Sequence, residues 1–406
     1  MEVFMSWEKG INVNNVSTVI CGSHVFLGVG AINKMGFIAE QLKAKGVDSI
    51  IAVTGKGAYA STGAWDHVTK ALEAQGIKYT LYNKVQPNPE THQVDETVKI
   101  AKEAGAKAVI AIGGGSPIDA GKSTAILLKY PDKTCQDLYE MKFSAEKAVP
   151  IVVINLTHGT GSEANRFAVV SIPEKNYKPA IAYDCIYPLY SIDDPALMTG
   201  LPANQTRYVS IDAVNHVVEA ATSTLNNPFA ISLAKEVTAL VAKYLPAALA
   251  NPKDLTARYF LTYAAMIAGA GFDNGMLHFT HALEHPLSGV KPDLSHGLGL
   301  SVLLPAVIKT IYPDAATGAI LAEVLAPMVP GLTGAAGEAQ KAADGVYAWL
   351  VSVGVKEKMG DIGFTKADVA KLVSLTFETP GLSGLLGCAP VASGKEVVEK
   401  IYTESF

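Results

Sequence analysis

The sequence predicts an α/β region followed by an all-helical region, and three observations carry that prediction. In the first half, short apolar runs alternate with helical patterns, the mark of a parallel sheet covered by helices. Two of those runs end in glycine-rich turns that open into helices or loops. After Pro195 the strand pattern stops, while helical patterns continue to the C-terminus. The chain's 406 residues exceed one ordinary core, so two domains are expected, residues 1–194 and 195–406.

The elements follow in order. SIIAV (49–53) is a short buried strand closed by Thr54-Gly55, and a helix is expected over 65–75. KYTLYN (78–83) is the next strand, and Gln86-Pro87-Asn88-Pro89 is a turn. A helix over 94–104 leads to the strand AKAVIAI (106–112). That strand runs into Gly113-Gly114-Gly115-Ser116-Pro117-Ile118-Asp119, read as a helix start with Ser116 as N-cap and Pro117 as the first helical residue. Glycines admit a ligand close to the backbone, and free amides at a helix N-terminus favour an anion such as a pyrophosphate. The spacing fits neither GxGxxG nor a Walker A motif. A second turn, Thr157-His158-Gly159-Thr160-Gly161-Ser162-Glu163, follows the strand PIVVINL (150–156), with His158 read as a pocket-wall or surface group. Two such turns at strand ends point to one crevice. Helical patterns then cover 203–223, 228–246, 254–270, 298–312, 317–327, 335–353, 365–375 and 394–403.

Composition narrows the function. The chain is 49% hydrophobic and 17% charged, with a net charge of -5 and no basic run, which speaks against nucleic acid. No apolar run reaches the ~18 residues of a membrane span. Cys21, Cys135, Cys185 and Cys388 form no framework, which suits a reducing, cytoplasmic setting. The start, MEVFMSWEKG, lacks the apolar stretch of a signal peptide.

Chemistry concentrates between Met276 and Leu300, which hold four of the nine histidines: His278, His281, His285 and His296. Residues 278–285 read as a helix end, with Pro286 and Gly289 as breakers. His281 and His285 share a helix face, and His296 lies beyond a loop, beside Gly297. Asp212 and His216 stand four apart on another apolar helix, where polar groups turned inward need a partner. A carboxylate with two or three imidazoles suits Fe2+ or Zn2+ rather than Ca2+ or Mg2+, and spacing alone leaves open which histidines bind.

Four stretches together resemble the iron-containing (group III) alcohol dehydrogenases: GGGSPID (113–119), THGTGSE (157–163), Asp212 to Glu219, and Phe272 to Gly297. The resemblance implies that family's fold, shared with dehydroquinate synthase: an N-terminal dinucleotide-binding domain, an all-helical metal-binding domain, and a homodimer or higher oligomer. It implies Asp212, His216, His281 and His296 as metal ligands and His285 as a proton relay beside the nicotinamide. It also implies cofactor contacts at Asn88, Gly114, Gly115, Ser116, Asp119, Thr157, Thr160 and Lys178, with Phe272 in the substrate pocket. The implied reaction is hydride exchange between a small primary alcohol or aldehyde and NAD or NADP. Both nucleotides stay open because Gly55 stands where relatives often have the Asp that repels a 2′-phosphate, and Lys56 follows it. The loop from His285 to His296 is one residue longer than in several relatives, and Ala389-Pro390-Val391 replaces a terminal Asn-Pro-Arg. Two other readings remain: a polyol dehydrogenase of the glycerol dehydrogenase type, and a metallopeptidase, since His281-Ala-Leu-Glu284-His285 spells H-x-x-E-H.

Overall fold

The structure, a computed structural model, describes residues 18–406; the N-terminal stretch read for a signal peptide lies outside the described residues. Among the described residues eight strands occur: β1 His24–Leu27, β2 Ser49–Gly55, β3 Lys78–Val85, β4 Ala108–Gly113, β5 Ile151–Asn155, β6 Phe167–Val169, β7 Ala180–Ala182 and β8 Tyr190–Asp193. Six form a parallel sheet in the order β1-β8-β5-β4-β2-β3, while β6 and β7 make a small antiparallel pair. Strands β2, β4 and β5 are buried almost throughout and mostly apolar because both faces of the sheet are covered. Ile51, Val53, Val109, Ala111, Ile151 and Val153 enter one core layer. Ile50, Ala52, Ala108, Ile110, Val152 and Ile154 enter the other, as the two-residue period of a strand requires.

The helices of this half are α1 Met35–Ala44, α2 Ala58–Ser61, α3 Ala64–Ala74, α4 Thr91–Glu103, α5 Gly115–Leu127 and α6 Cys135–Tyr139. Helices α1 and α3 cover one face, through Ile38, Leu42, Val68 and Leu72. Helices α4 and α5 cover the other, through Val94, Val98, Ile118 and Ile126. Neighbouring strands β2 and β4 send their helices in opposite directions, to β3 and to β5. The loops after β2 and β4 therefore diverge, opening a crevice at the carboxyl edge of the sheet. Thr54 pairs with Ile112 and Gly113 with Asn155, so Gly55, the triple glycine and the Thr157 turn line up along that edge.

After β8 the chain is helical: α7 Ala203–Thr222, α8 Pro228–Ala250, α9 Leu255–Gly275, α10 Phe279–Val290, α11 His296–Ile311, α12 Ala315–Val324, α13 Ala339–Ser352, α14 Val369–Glu378, α15 Leu382–Leu386 and α16 Lys395–Glu404. Helices α7, α8 and α9 pack around Val214, Val217, Val237, Leu261 and Ala268. Three local expectations are corrected. Helix α5 starts at Gly115, with Gly114 rather than Ser116 at its cap, because the Gly114 carbonyl closes the first turn. Helix α10 begins at Phe279 and runs through Pro286 and Gly289 to Val290. Gly289 is there for close approach, since a Cβ would lie 2.3 Å from the Asn176 carbonyl oxygen. Helix α11, expected over 298–312, starts two residues earlier, at His296.

The two halves also meet backbone to backbone at Gly161 and Gly269. Gly161 has φ +61, and a Cβ on it would lie 2.4 Å from Gly269 Cα. A Cβ on Gly269 would meet Gly161 oxygen at 2.5 Å, backbone against backbone with nothing able to yield. Gly269→Ala is expected to lower unfolding stability by roughly 1–3 kcal/mol, the usual cost of overpacking. Chemical denaturation checks this, and an unshifted midpoint would mean that the contact is looser than described.

Candidate metal centre and nucleotide cleft

Helix α7 carries Asp212, His216 and Glu219 on one face, each facing inward in a helix whose second half is fully buried. Helix α10 brings His281 and His285, and the first residue of α11 brings His296. Asp212 Oδ1 lies 3.5 Å from His216 Nε2, 3.6 Å from His281 Nε2 and 3.8 Å from His296 Nε2. Those separations are close to the ~3.4 Å edge of a tetrahedron with ~2.1 Å metal–nitrogen bonds. Asp212 Oδ1 and His281 Nε2 are buried and have no hydrogen-bond partner. Buried polar atoms are normally paired; Asp212, His216 and His281 place ligand atoms within 4.8 Å of one another, and with His296 beside Asp212 the cluster fits a divalent cation.

Two buried acids aim the imidazoles. Glu219 takes the backbone N–H groups of His278 (2.8 Å) and His281 (3.0 Å), and its Oε2 lies 3.1 Å from His281 Nδ1. Burial disfavours its charge, but the His281 ring and that hydrogen bond hold its pKa well below the carboxylate range. Glu284 does the same for His296, accepting at Nδ1, and it also takes Ser288 Oγ and Lys178 Nζ. Burial is again outweighed, by His296 and Lys178, and the carboxyl stays ionised. His216 lacks such an acid: its Nδ1 is unpartnered, and its ring stacks on Phe272 at 4.4 Å and on His281 at 4.7 Å. Glu219 and Glu284 stood inside the sequence motifs, yet their bonds to imidazole Nδ1 were not read from them.

His285 sits apart from the four. Its Nδ1 donates to the Lys178 carbonyl at 2.7 Å, which leaves Nε2 with the lone pair. Burial and the Lys178 ammonium push its pKa well below the usual imidazole value, so the ring is neutral. His278 is a satisfied core group, its Nδ1 accepting from Phe279 N–H and its Nε2 meeting Thr222 Oγ1 at 2.9 Å. Glu284 is fully buried and taken by three partners, so the general base of the metallopeptidase reading is not available.

The candidate ligands open on a cleft of about 860 Å3, the open space at its mouth included. Its far wall includes Asn88, Gly115, Ser116, Asp119, Thr160 and Lys178, while Phe272 forms an apolar side. Gly55, Gly114 and Thr157 lie beside it on the carboxyl edge of the sheet. Several of these groups are committed within the protein. Asn88 donates to the Pro292 (2.8 Å) and Leu294 (3.3 Å) carbonyls, tying the turn after β3 to the loop before His296. Asp119 accepts from Ser162 Oγ (2.7 Å) and Val169 N–H (3.0 Å), and burial lifts its pKa to about 6. A Cβ on Gly115 would lie 2.6 Å from the Thr160 side chain, so this glycine admits the second turn as well as a ligand.

His158 is neither wall nor surface. It is fully buried, with Nε2 2.9 Å from Arg258 Nη1 and Nδ1 3.4 Å from Ser210 Oγ. A guanidinium only donates, so Nε2 accepts; burial and the Arg258 charge pull its pKa down to about 3. Lys122 pins the same turn from below, donating to Ser162 Oγ (3.0 Å) and to the Asn165 (2.9 Å) and Phe167 (2.8 Å) carbonyls.

Comparison with known proteins points to one family. The family described as iron-containing alcohol dehydrogenase matches residues 22–195, and the C-terminal part of the Fe-containing alcohol dehydrogenase family matches residues 206–406. The chain is 56% identical over 400 residues to the long-chain primary alcohol dehydrogenase AdhA of Thermoanaerobacter ethanolicus, covering 98% of this chain and 100% of that protein. It is 32% identical to the NAD-dependent methanol dehydrogenase of Bacillus methanolicus, covering 87% of this chain and 91% of the other. Among solved structures, the NADH-dependent butanol dehydrogenase A of Thermotoga maritima superposes with a TM-score of 0.87 at 27% identity, over 96% of this chain and 98% of that one.

Because Glu219 fixes the His281 ring, Glu219→Gln should weaken divalent-metal affinity about 10–100-fold without unfolding the chain. Competition against a chelator measures this, and wild-type affinity would remove Glu219 as the orienting group.

Proposed function

The chain belongs to the iron-containing alcohol dehydrogenase family and is a metal-dependent alcohol dehydrogenase; on that premise we propose that it exchanges hydride between primary alcohols or their aldehydes and NAD(P) in the cleft between its two halves. In this reading Asp212, His216, His281 and His296 hold the cation. The observation that carries it is the convergence of three imidazole Nε2 atoms on Asp212 Oδ1. Iron is the proposed metal on family grounds, although three nitrogens and one oxygen also suit Zn2+. The nucleotide lies over the turns at Gly55, Gly114–Ser116, Thr157 and Thr160, with Asn88, Asp119 and Lys178 shaping its bed. A reducing, cytoplasmic setting is supported by four unpaired cysteines, and a homodimer by the resemblance.

When bound, the cation supplies Lewis acidity that makes the alcohol hydroxyl proton labile, and the nicotinamide supplies the hydride acceptor. The protein's own groups do the rest. Phe272 presents an apolar face to the substrate carbon and braces His216 by stacking. His285 takes the released proton at Nε2, its tautomer fixed by the Lys178 carbonyl. Lys178 and Glu284 form a buried ion pair at 3.3 Å that steadies both His285 and His296.

Asp212→Ala and His281→Ala should each lose bound metal by elemental analysis and nearly all turnover, while fluorescence still detects bound NADH. Retained metal would overturn the ligand assignment. His285→Ala should keep the metal and lose about 10²–10⁴-fold in kcat. Gly55 has room for a side chain, its nearest foreign contact being Val85 oxygen at 3.4 Å. Gly55→Asp should reduce kcat/KM for NADP by on the order of 10² more than for NAD, through like-charge repulsion. Equal losses would show that Gly55 does not face the 2′ position.

A further inference from the structure

The cleft shares part of its wall with a second space. Phe167, Ala180 and Leu385 line both it and a half-open groove of about 1130 Å3, the open space at its mouth included, which lies between the β6–β7 pair, the segment after α6, and α15. No charged side chain lines this second cavity. Its walls include Met141, Phe143, Ile181, Met276 and Leu382, and its polar side chains are the hydroxyls of Ser144 and Tyr183. The Tyr183 hydroxyl already donates to the Phe143 carbonyl at 3.4 Å. Met141 is 48% exposed, an uncovered apolar group at the rim. On the inner side, Phe167 and Leu385 pack against Phe272 and Leu277, so the apolar wall runs unbroken from the candidate metal centre outward.

A space that is polar and metal-binding at one end and uncharged at the other fits a molecule with one hydroxyl and a long hydrocarbon tail. We propose that the second cavity holds the alkyl tail of a long unbranched primary alcohol or aldehyde, its oxygen at the candidate metal centre. This proposal rests on reading the first cleft as the alcohol site. Short alcohols fill the first cleft alone; longer ones pass between Phe167 and Leu385. The two methionines suit this duty, because flexible thioether chains repack around tails of different length. Leu385 and Phe167, shared by both spaces, are then the residues that set substrate length.

The test compares kcat/KM across 1-alkanols from ethanol to dodecanol with the metal-loaded protein. Wild type should gain about fourfold per added carbon over part of the series, the ratio that ~0.8 kcal/mol per buried methylene gives, and then level off. Gly384 is an exposed position of α15, and a Cβ there would have no neighbour within 4 Å, so Gly384→Trp fills open space in this wall. Removing a helical glycine does not weaken the helix. This variant should lower the decanol-to-ethanol ratio of kcat/KM by roughly tenfold or more. Ala182→Trp, from the opposite wall, should do the same. Wild type acting equally on ethanol and decanol would overturn the tail cavity and leave the alcohol site standing. So would folded variants of both kinds that keep the wild-type ratio. The same holds if that ratio is kept while the particle mass falls on gel filtration, which marks the groove as a contact between copies. Wild type acting on no alcohol would overturn the first-cleft reading and the tail cavity with it.

Discussion

One buried carboxylate oxygen, Asp212 Oδ1, has three imidazole nitrogens within 3.8 Å of it and no hydrogen bond of its own. Left alone, such a cluster would carry the full desolvation cost of a buried charge. A divalent cation would turn that cost into binding energy, and helices α7, α10 and α11 hold the candidate ligands facing one another. Glu219 and Glu284 each hold an imidazole by its far nitrogen. These acids are themselves buried and stay ionised because the imidazoles and Lys178 compensate them. The centre is thus a network of alternating charges in which each member fixes its neighbour's orientation.

Joining that network to the sheet is the second requirement, since hydride transfer needs the metal-bound and nucleotide-bound partners in one geometry. The Thr157 turn does most of the joining. Gly161 meets Gly269 of α9 backbone to backbone. From α9, Arg258 reaches His158, and Lys122 of α5 holds the end of the same turn. Asn88 adds a tie to the loop that precedes His296. A turn held from three sides cannot drift relative to the four candidate ligands, and glycine is what lets it come so near.

Between Phe272 and α15 the character of the site changes from charged to apolar. The aromatic ring that stacks on His216 also forms one side of the path past Phe167 and Leu385. On the proposed reading, chemistry and substrate length are set by adjoining but separate surfaces. Side chains on α15 and on β7 can vary the second without disturbing the first.

The order of strands and helices was legible because burial on both sheet faces forces continuous apolar runs, and because helical periodicity persists after Pro195. The candidate ligands were legible from histidines and an aspartate placed on apolar helices, where such groups need a partner. Strands β1, β6, β7 and β8 were missed, being three or four residues long and defined only by their pairing. His158 was misread because its partner, Arg258, is one hundred residues away. Gly289 was misread as a breaker because the backbone it admits, at Asn176, comes from the other half of the chain. Residue types and their spacing thus determined the fold class and the chemistry on offer, since both follow from local periodicity and burial. Which imidazoles converge, what orients them, and where an alkyl chain can go were decided only by tertiary packing, because those contacts join residues that the sequence keeps far apart.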